Sequence, residues 1–410
     1  MRVAIVGAGI VGSAVAHALL DEGHAVTLID KLARDARPSN GNAGWIAHTD
    51  ILPLASSKAW RNLPRWLADP LGPLAIRPAY LPAFAPWLWR FVRASTPRRV
   101  EAGIAAIRAI NARALPSWEK RLAALGMEEH LHRRGRLSVW RDAAAFRAER
   151  PLLERQRSFG IAVEELDAAG VARLEPALTG VAAGALFPAV CHVSDPGVLA
   201  AELMRLATAR GAAHVAADAR QVIAGAEGIA VQAGETSVTA DRVVIATGAW
   251  SRPLAAQFGL RVPLDTERGY NATYAPGTFG LNRPVMFEGD GFAASPLATG
   301  DRVGGAVEFA GLDAPPDHRR TEAMIGKLRR YLPHLEAGAP ARKWMGFRPS
   351  MPDSLPAIGP VPREPRVVLA FGHGHHGLTQ AAVTAEMVAA ILAGRDAGLD
   401  LAPYAPARFA

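Results

Sequence analysis

The first thirty residues restrict the fold more than anything that follows them. Residues 2–6 (RVAIV) have the composition of a short buried strand, and Gly7-Ala8-Gly9-Ile10-Val11-Gly12 comes directly after. Residues 13–22 read as a helix and 25–29 (AVTLI) as a second strand, closed by Asp30. Strand, glycine-rich turn, helix and strand in that order make the βαβ opening of a doubly wound sheet. The spacing gives each glycine a task. Gly7 allows the tight turn, Gly9 lets a pyrophosphate approach the backbone, and Gly12 lets the helix pack closely on the strand. The free N–H groups and positive dipole end of the helix then face the phosphates. Asp30 is expected to accept a hydrogen bond from a ribose hydroxyl. The expected fold class is therefore α/β, with a Rossmann-type dinucleotide-binding domain.

The rest of the chain reads as a second, interleaved unit. Prolines crowd residues 50–100, so no long regular element is expected before about Arg99. A helix is expected over 100–125, strands at 136–140 and 184–187, and a helix at 197–210. Alternation between residues 214 and 238 predicts strands, and 242–246 is a buried strand ending at Thr247-Gly248. Residues 262–310 read as antiparallel sheet, 319–332 as a helix and 377–392 as the last helix. At 410 residues, 50% hydrophobic and 20% charged, the chain can bury two cores and is not disordered. The net charge of +8 is spread along the sequence without a Lys/Arg-rich tract, which argues against nucleic acid. A single cysteine, Cys191, excludes an intrachain disulfide and a Cys-based metal site, and no metal is expected. Cys191 itself, in an apolar stretch, is expected to pack away from the cofactor. No secretory leader and no run of 18 apolar residues are evident, so a cytoplasmic location is expected.

The glycine turn alone does not distinguish FAD from NAD. Three later segments favour FAD. Asn40-Gly41-Asn42-Ala43-Gly44 is small and amide-rich, suited to wrapping a large cofactor, with Asn42, Ala43 and Gly44 as the contacts. The strand at 242–246 returns the chain to the nucleotide and delivers Thr247 and Gly248. Gly372-His373-Gly374-His375-His376-Gly377-Leu378-Thr379 opens a helix whose N-terminus suits the negative charge of a reduced flavin. His373, Gly374, Gly377, Leu378 and Thr379 are its candidate contacts.

With these pieces in order, the sequence resembles the D-amino acid oxidase-like flavoproteins, and within them the bacterial D-amino acid dehydrogenases. The resemblance spans nearly the whole chain. It is carried by GAGIVG, SNGNAGWIAH, PLAIRP at residues 73–78, ATGAW, RGYN at 268–271, FRPSMPDSLPAIG at 347–359 and GHGHHGLT. It implies an FAD-binding domain built from residues 1–55, 190–262 and 345–410. An interleaved antiparallel-sheet substrate domain is built from 56–189 and 263–344. It further implies oxidation of a D-amino acid, through an imine, to the 2-oxo acid. Arg348, in the motif's arginine position, is expected to hold the substrate carboxylate, a task that a planar guanidinium fork suits. Tyr270 is expected to hydrogen-bond that carboxylate or cap the pocket, and His48 to lie near the isoalloxazine. Trp45 after the NAG segment and RGYN at 268–271 depart from the broad-specificity pattern and leave the substrate open. A cyclic secondary amine such as D-proline or D-hydroxyproline remains an alternative, as does an oxygen-using oxidase. A non-catalytic flavin protein would bind FAD and be bleached by no amino acid.

The destination of the electrons rests on residues 58–99. Trp60, Trp66, Trp87 and Trp89 stand there among Lys58, Arg61, Arg65, Arg77, Arg90, Arg93, Arg98 and Arg99, with Asp69 as the only acid. That composition suits an interfacial membrane contact, and the resemblance implies a peripheral enzyme at the inner face of the cytoplasmic membrane that passes electrons to a quinone or other acceptor. The same composition equally suits a lid packed over the site.

Overall fold

A computed structural model describes residues 1–31, 37–56, 69, 71–72, 74–335 and 338–409. Among them, six strands form one sheet in the order Ala357–Val361, Glu364–Phe371, Arg242–Ile245, Arg2–Val6, Ala25–Ile29, Ala213–Val215. All pairings are parallel except that of the outermost strand, Ala357–Val361. The central strands are apolar at successive positions because both faces are covered. The first strand sits where the strand order reverses, so a crevice opens beyond its C-terminal end, at Gly7.

The helix after the glycine turn is Ile10–Asp21, which starts three residues earlier than the sequence suggests. Gly9 serves as its N-cap, so the whole GxxG half of the motif belongs to the helix start. This helix is buried on nearly all sides. It packs in one core with the last helix, Gly377–Leu392, where Ala14 and Ala18 share a cluster with Ala381, Ala382 and Ala385. Small side chains on both surfaces let the two backbones come close, which gives the abundant alanine a structural use.

A second sheet runs Arg342–Ser350, Asp265–Thr273, Gly300–Phe309, Phe292–Leu297, Val285–Phe287, Arg136–Trp140, Ala183–Phe187, Glu164–Asp167, with Leu74–Ile76 paired beside Gly300–Phe309. It is antiparallel apart from two parallel pairings, Val285–Phe287 with Arg136–Trp140 and Gly300–Phe309 with Leu74–Ile76. The strand Arg342–Ser350 belongs to this sheet as a whole, whereas the expected domain boundary at 345 falls inside it. The alternating stretch from 214 to 238 divides. Ala213–Val215 joins the parallel sheet, and Ala219–Gly225, Gly228–Ala233 and Thr236–Ala240 form a separate antiparallel layer.

Two sequence expectations need correction. A helix, Leu81–Ala94, stands in the proline-rich region where none was expected. Pro82 falls in its first turn, where a missing N–H costs nothing, and Phe84, Trp87 and Phe91 recur at helical spacing against Phe309. The helix expected over 319–332 ends at Leu328. The helix Ala143–Ser158, capped by Asp142, was not anticipated at all. Trp60, Trp66, Lys58, Arg61, Arg65 and Pro73 lie outside the described residues. Among the described residues, no helix is long and apolar enough to cross a membrane.

Candidate active site

One cavity of about 880 Å³ joins the dinucleotide turn to the second sheet. That volume falls in the range of sites that enclose a large small-molecule ligand. At one end lie Gly7, Gly9 and Ile10. Gly7 has φ +101°, and a Cβ there would stand 2.5 Å from the Ala246 carbonyl oxygen. A Cβ at Gly12 would overlap the Gly7 carbonyl itself, so Gly12 supports the turn from behind and does not line the cavity. Asp30 lines the cavity and accepts the Ala8 N–H at 2.6 Å. Beside it stands Arg37, which sequence reasoning missed. Its guanidinium is 3.5 Å from Asp30, and its Nε is buried without a hydrogen-bond partner.

The Asn40–Gly44 segment bridges the two sheets. Asn42 and Ala43 line the cavity. The Asn42 side chain accepts the Gly44 N–H at 2.8 Å, and its carbonyl accepts from Arg302 at 2.7 Å. Gly44 stands outside the lining, where its carbonyl accepts the Val193 N–H at 2.7 Å. Cys191 is closer to this segment than expected: its carbonyl accepts the Ile46 N–H at 2.8 Å, while the thiol is buried and does not line the cavity. Thr247 and Gly248 line the cavity at the end of Arg242–Ile245.

The Gly/His loop closes the other side. His373, Gly374, His375, His376, Gly377 and Leu378 all line the cavity, with the N-terminus of Gly377–Leu392 opening onto it. His373 bonds Thr384 at 3.0 Å and burial pushes it down to about 3, so the ring is neutral near pH 7. Burial also lowers His376, whose Nδ1 has no partner. Thr379 does not line the cavity; its hydroxyl accepts the Ala47 N–H at 2.9 Å and ties the Asn40–Gly44 region to the last helix. His48 does not reach the cavity either. It lies beside Ile46, with Nδ1 3.2 Å from that carbonyl, and burial lowers its pKa.

Arg348 lies on Arg342–Ser350, directly across the ladder from Glu267. Its guanidinium lies over Gly269, where any Cβ would overlap it. Arg348 lines the cavity and its Nη1 is buried with no hydrogen-bond partner. Glu267 is its electrostatic neighbour but is engaged elsewhere: Oε1 accepts the Ser350 hydroxyl and Oε2 lies 2.5 Å from His375 Nε2. Burial raises the Glu267 carboxyl, but His375, Ser350 and Arg348 outweigh it and hold it below its ordinary value. The guanidinium therefore keeps donor capacity that a carboxylate entering the cavity would satisfy.

Tyr270 borders the cavity, but its hydroxyl is committed. It donates to Glu308 at 2.5 Å and accepts the Asp317 N–H at 3.0 Å. Burial pushes it up to about 12. Glu308 also binds Arg77 at 2.7 Å and Arg268 at 3.2 Å. With its O–H given to Glu308, Tyr270 lines the wall and has no donor left to offer a carboxylate. Among the described residues, no group of three His, Cys, Asp or Glu side chains is arranged to hold a metal.

The residues fit FAD. A glycine turn at a helix N-terminus, an acid at the end of the second strand and buried, unpartnered Arg37 Nε and His376 Nδ1 surround one long cavity that spans two sheets. Residues 2–391 match the model of the DAO family, described as FAD dependent oxidoreductase. The chain is 36% identical to a D-amino-acid oxidase of Bradyrhizobium diazoefficiens, with 100% of this chain and 99% of the relative covered. It is 30% identical to D-amino acid dehydrogenase 2 of Ralstonia nicotianae, with 100% of both covered. Among solved structures, glycine oxidase from Geobacillus kaustophilus superposes with a TM-score of 0.71 at 21% identity over 98% of each chain. L-proline dehydrogenase from P. horikoshii gives a TM-score of 0.76 at 20% identity, covering 100% of this chain and 97% of the other.

Proposed function

The chain belongs to the DAO family of FAD-dependent oxidoreductases, and on that premise we propose that it oxidises the Cα–N bond of a D-amino acid to an imine, which water hydrolyses to the 2-oxo acid. FAD, when bound, supplies the two-electron acceptor. The names of the full-length relatives support the D-amino acid class. The observation that carries the reading is Arg348: a cavity-lining guanidinium with a buried donor left unsatisfied, next to a carboxylate already engaged by Ser350 and His375.

The chain's own residues act by holding and orienting. Arg348 clamps the substrate carboxylate, which fixes the Cα against the cofactor. Tyr270, held by Glu308, walls the pocket. Gly7, Gly9, Asp30, Arg37, Asn42, Ala43, Thr247 and Gly248 hold the dinucleotide, with Gly12, Gly44 and Thr379 shaping the backbone around it. The loop from His373 to Leu378 would hold the flavin, and the helix N-terminus there would favour the negative charge that a reduced flavin carries. The division into an FAD-binding lobe and a substrate lobe is part of the same reading, with Arg342–Ser350 assigned to the substrate sheet.

The acceptor is proposed to be a quinone reached at a membrane surface. Leu81, Trp89 and Val92 are exposed on Leu81–Ala94, Trp89 by 63%, with Arg90 and Arg93 exposed beside them. An apolar face fringed by arginines suits an anionic bilayer.

Arg348→Met tests the substrate reading. The variant should purify with FAD and show a KM for the D-amino acid raised roughly 100-fold, the size of losing a charge-assisted pair of about 3 kcal/mol. An unchanged KM would remove Arg348 from the site.

A further inference from the structure

The ladder between Asp265–Thr273 and Arg342–Ser350 sets Glu267 against Arg348, and alternation puts Ser350 and Gly269 on the same face. The Gly/His loop covers that face. Glu267 is only 2% exposed, does not line the cavity, and spends both oxygens inside the protein, one on Ser350 and one on His375. His375 is different: its side chain is 40% exposed and lines the cavity, as Arg348 does. A buried carboxylate at Nε2 holds the proton on that nitrogen and leaves Nδ1 with the lone pair. That is the arrangement of an orienting acid behind a histidine base. Among the described residues, the charged and titratable groups against His375 are Glu267 from the strand Asp265–Thr273 and His376 from its own loop, with Arg348 acting on Glu267 from the facing strand.

We propose that His375 takes the proton from the substrate's ammonium group and that Glu267 is the positioning residue that holds its ring. The proposal rests on Arg348 binding an amino acid carboxylate as described above. An amino acid reaches the site with its nitrogen protonated, and an ammonium nitrogen has no lone pair with which to form a C=N bond. In the proposed step one N–H bond breaks and an Nδ1–H bond forms on His375. The nitrogen lone pair then becomes the C=N bond as the Cα hydrogen leaves with its electron pair to the oxidised cofactor. The product is an iminium, and the proton on His375 is returned to water. Glu267 stabilises the imidazolium while it lasts.

The test compares wild type, His375→Gln, Glu267→Gln and Arg348→Met. Two quantities are measured: the anaerobic rate of flavin reduction by a D-amino acid across pH, and the Kd of propionate, a carboxylate without an amine, from the flavin spectrum. His375→Gln should be about 100-fold slower at pH 7, with a rate that keeps climbing tenfold per pH unit until the free substrate's own ammonium ionises. Glu267→Gln should be about tenfold slower, with a pH profile that departs from that of wild type, because the ring has lost the carboxylate that orients it. Propionate should bind both within about threefold of wild type, and Arg348→Met should bind it roughly 100-fold more weakly. If the His375→Gln profile runs parallel to wild type while propionate still needs Arg348, the base is overturned and the carboxylate site stands. If Arg348→Met binds propionate as wild type does, the reading beneath the proposal fails and the proposal goes with it.

Discussion

Gly269 and Glu267 together decide what Arg348 is free to do. Gly269 leaves room for the guanidinium, and Glu267, drawn to Ser350 and His375, leaves the buried Arg348 Nη1 without a partner. Gly269→Ala places a methyl group where the guanidinium lies. KM should rise at least tenfold with kcat changed far less, and overpacking should destabilise the fold by about 1–3 kcal/mol. Steady-state kinetics and a melting curve on the same preparation check both. The place of Arg348 on the cavity wall was legible because the FRP motif carries it. Glu267 was not, although period-two alternation through Glu267-Arg268-Gly269-Tyr270 separates its residues onto two faces. Tyr270 falls with Arg268 and Glu308 in a buried cluster, and its phenol is spent there. A single sequence shows that a tyrosine is near the site; only its partners show that the hydroxyl is unavailable. His48 lies off the cavity wall, its ring turned back to the Ile46 carbonyl next to the point where the Ala47 N–H bonds Thr379 on the last helix.

At the scale of elements, the glycine turn and its flanking strands were readable because each step is local: a strand, a positive-φ glycine and a helix start follow one another within ten residues. Two prolines mask Leu81–Ala94 in the sequence: Pro82 falls in the first turn at no cost, whereas Pro86 lies inside the helix and forfeits a backbone bond that the packed face outweighs. The signal was present in Phe84, Trp87 and Phe91, which pack together as a stacked row against Phe309. That row accounts for Trp87 as core and leaves Trp89 outside. If the exposed face meets an anionic bilayer, replacing Trp89 and Val92 by Ser should lower the fraction that sediments with anionic vesicles several-fold. Activity with a soluble artificial acceptor should remain at the wild-type level. Equal sedimentation of both proteins would remove this face as the contact.

At the scale of the molecule, three buried histidines set an acid limit. His17 donates from Nε2 to the Leu203 carbonyl at 2.8 Å and accepts from Arg210 at Nδ1, and burial lowers it to about 4. Burial lowers His192 and His373 to about 3. Each is depressed below its unfolded value of about 6.5, so the unfolded chain binds more protons between those limits. The stability they contribute is complete above about pH 6.5 and is lost as pH falls toward 3. The melting temperature should therefore hold between pH 8 and 7 and drop steadily from pH 6 to 4; a flat profile over that range would mean the rings are not buried neutral. The overall architecture was readable from the sequence in outline, as a parallel nucleotide sheet joined to a mostly antiparallel one. The edge of the second sheet was not, because Arg342–Ser350 is placed by pairing with a strand some seventy residues earlier and no local pattern reports that.

The central claim is that one cavity holds FAD and a D-amino acid together. The most direct measurement is the visible spectrum of the purified protein before and after anaerobic addition of D- and L-amino acids in turn. The protein should be yellow, with a flavin band bleached by at least one D-amino acid and by none of the L-enantiomers. A protein that stays colourless with added FAD, or one bleached by an L-amino acid and not its D-enantiomer, would contradict the claim.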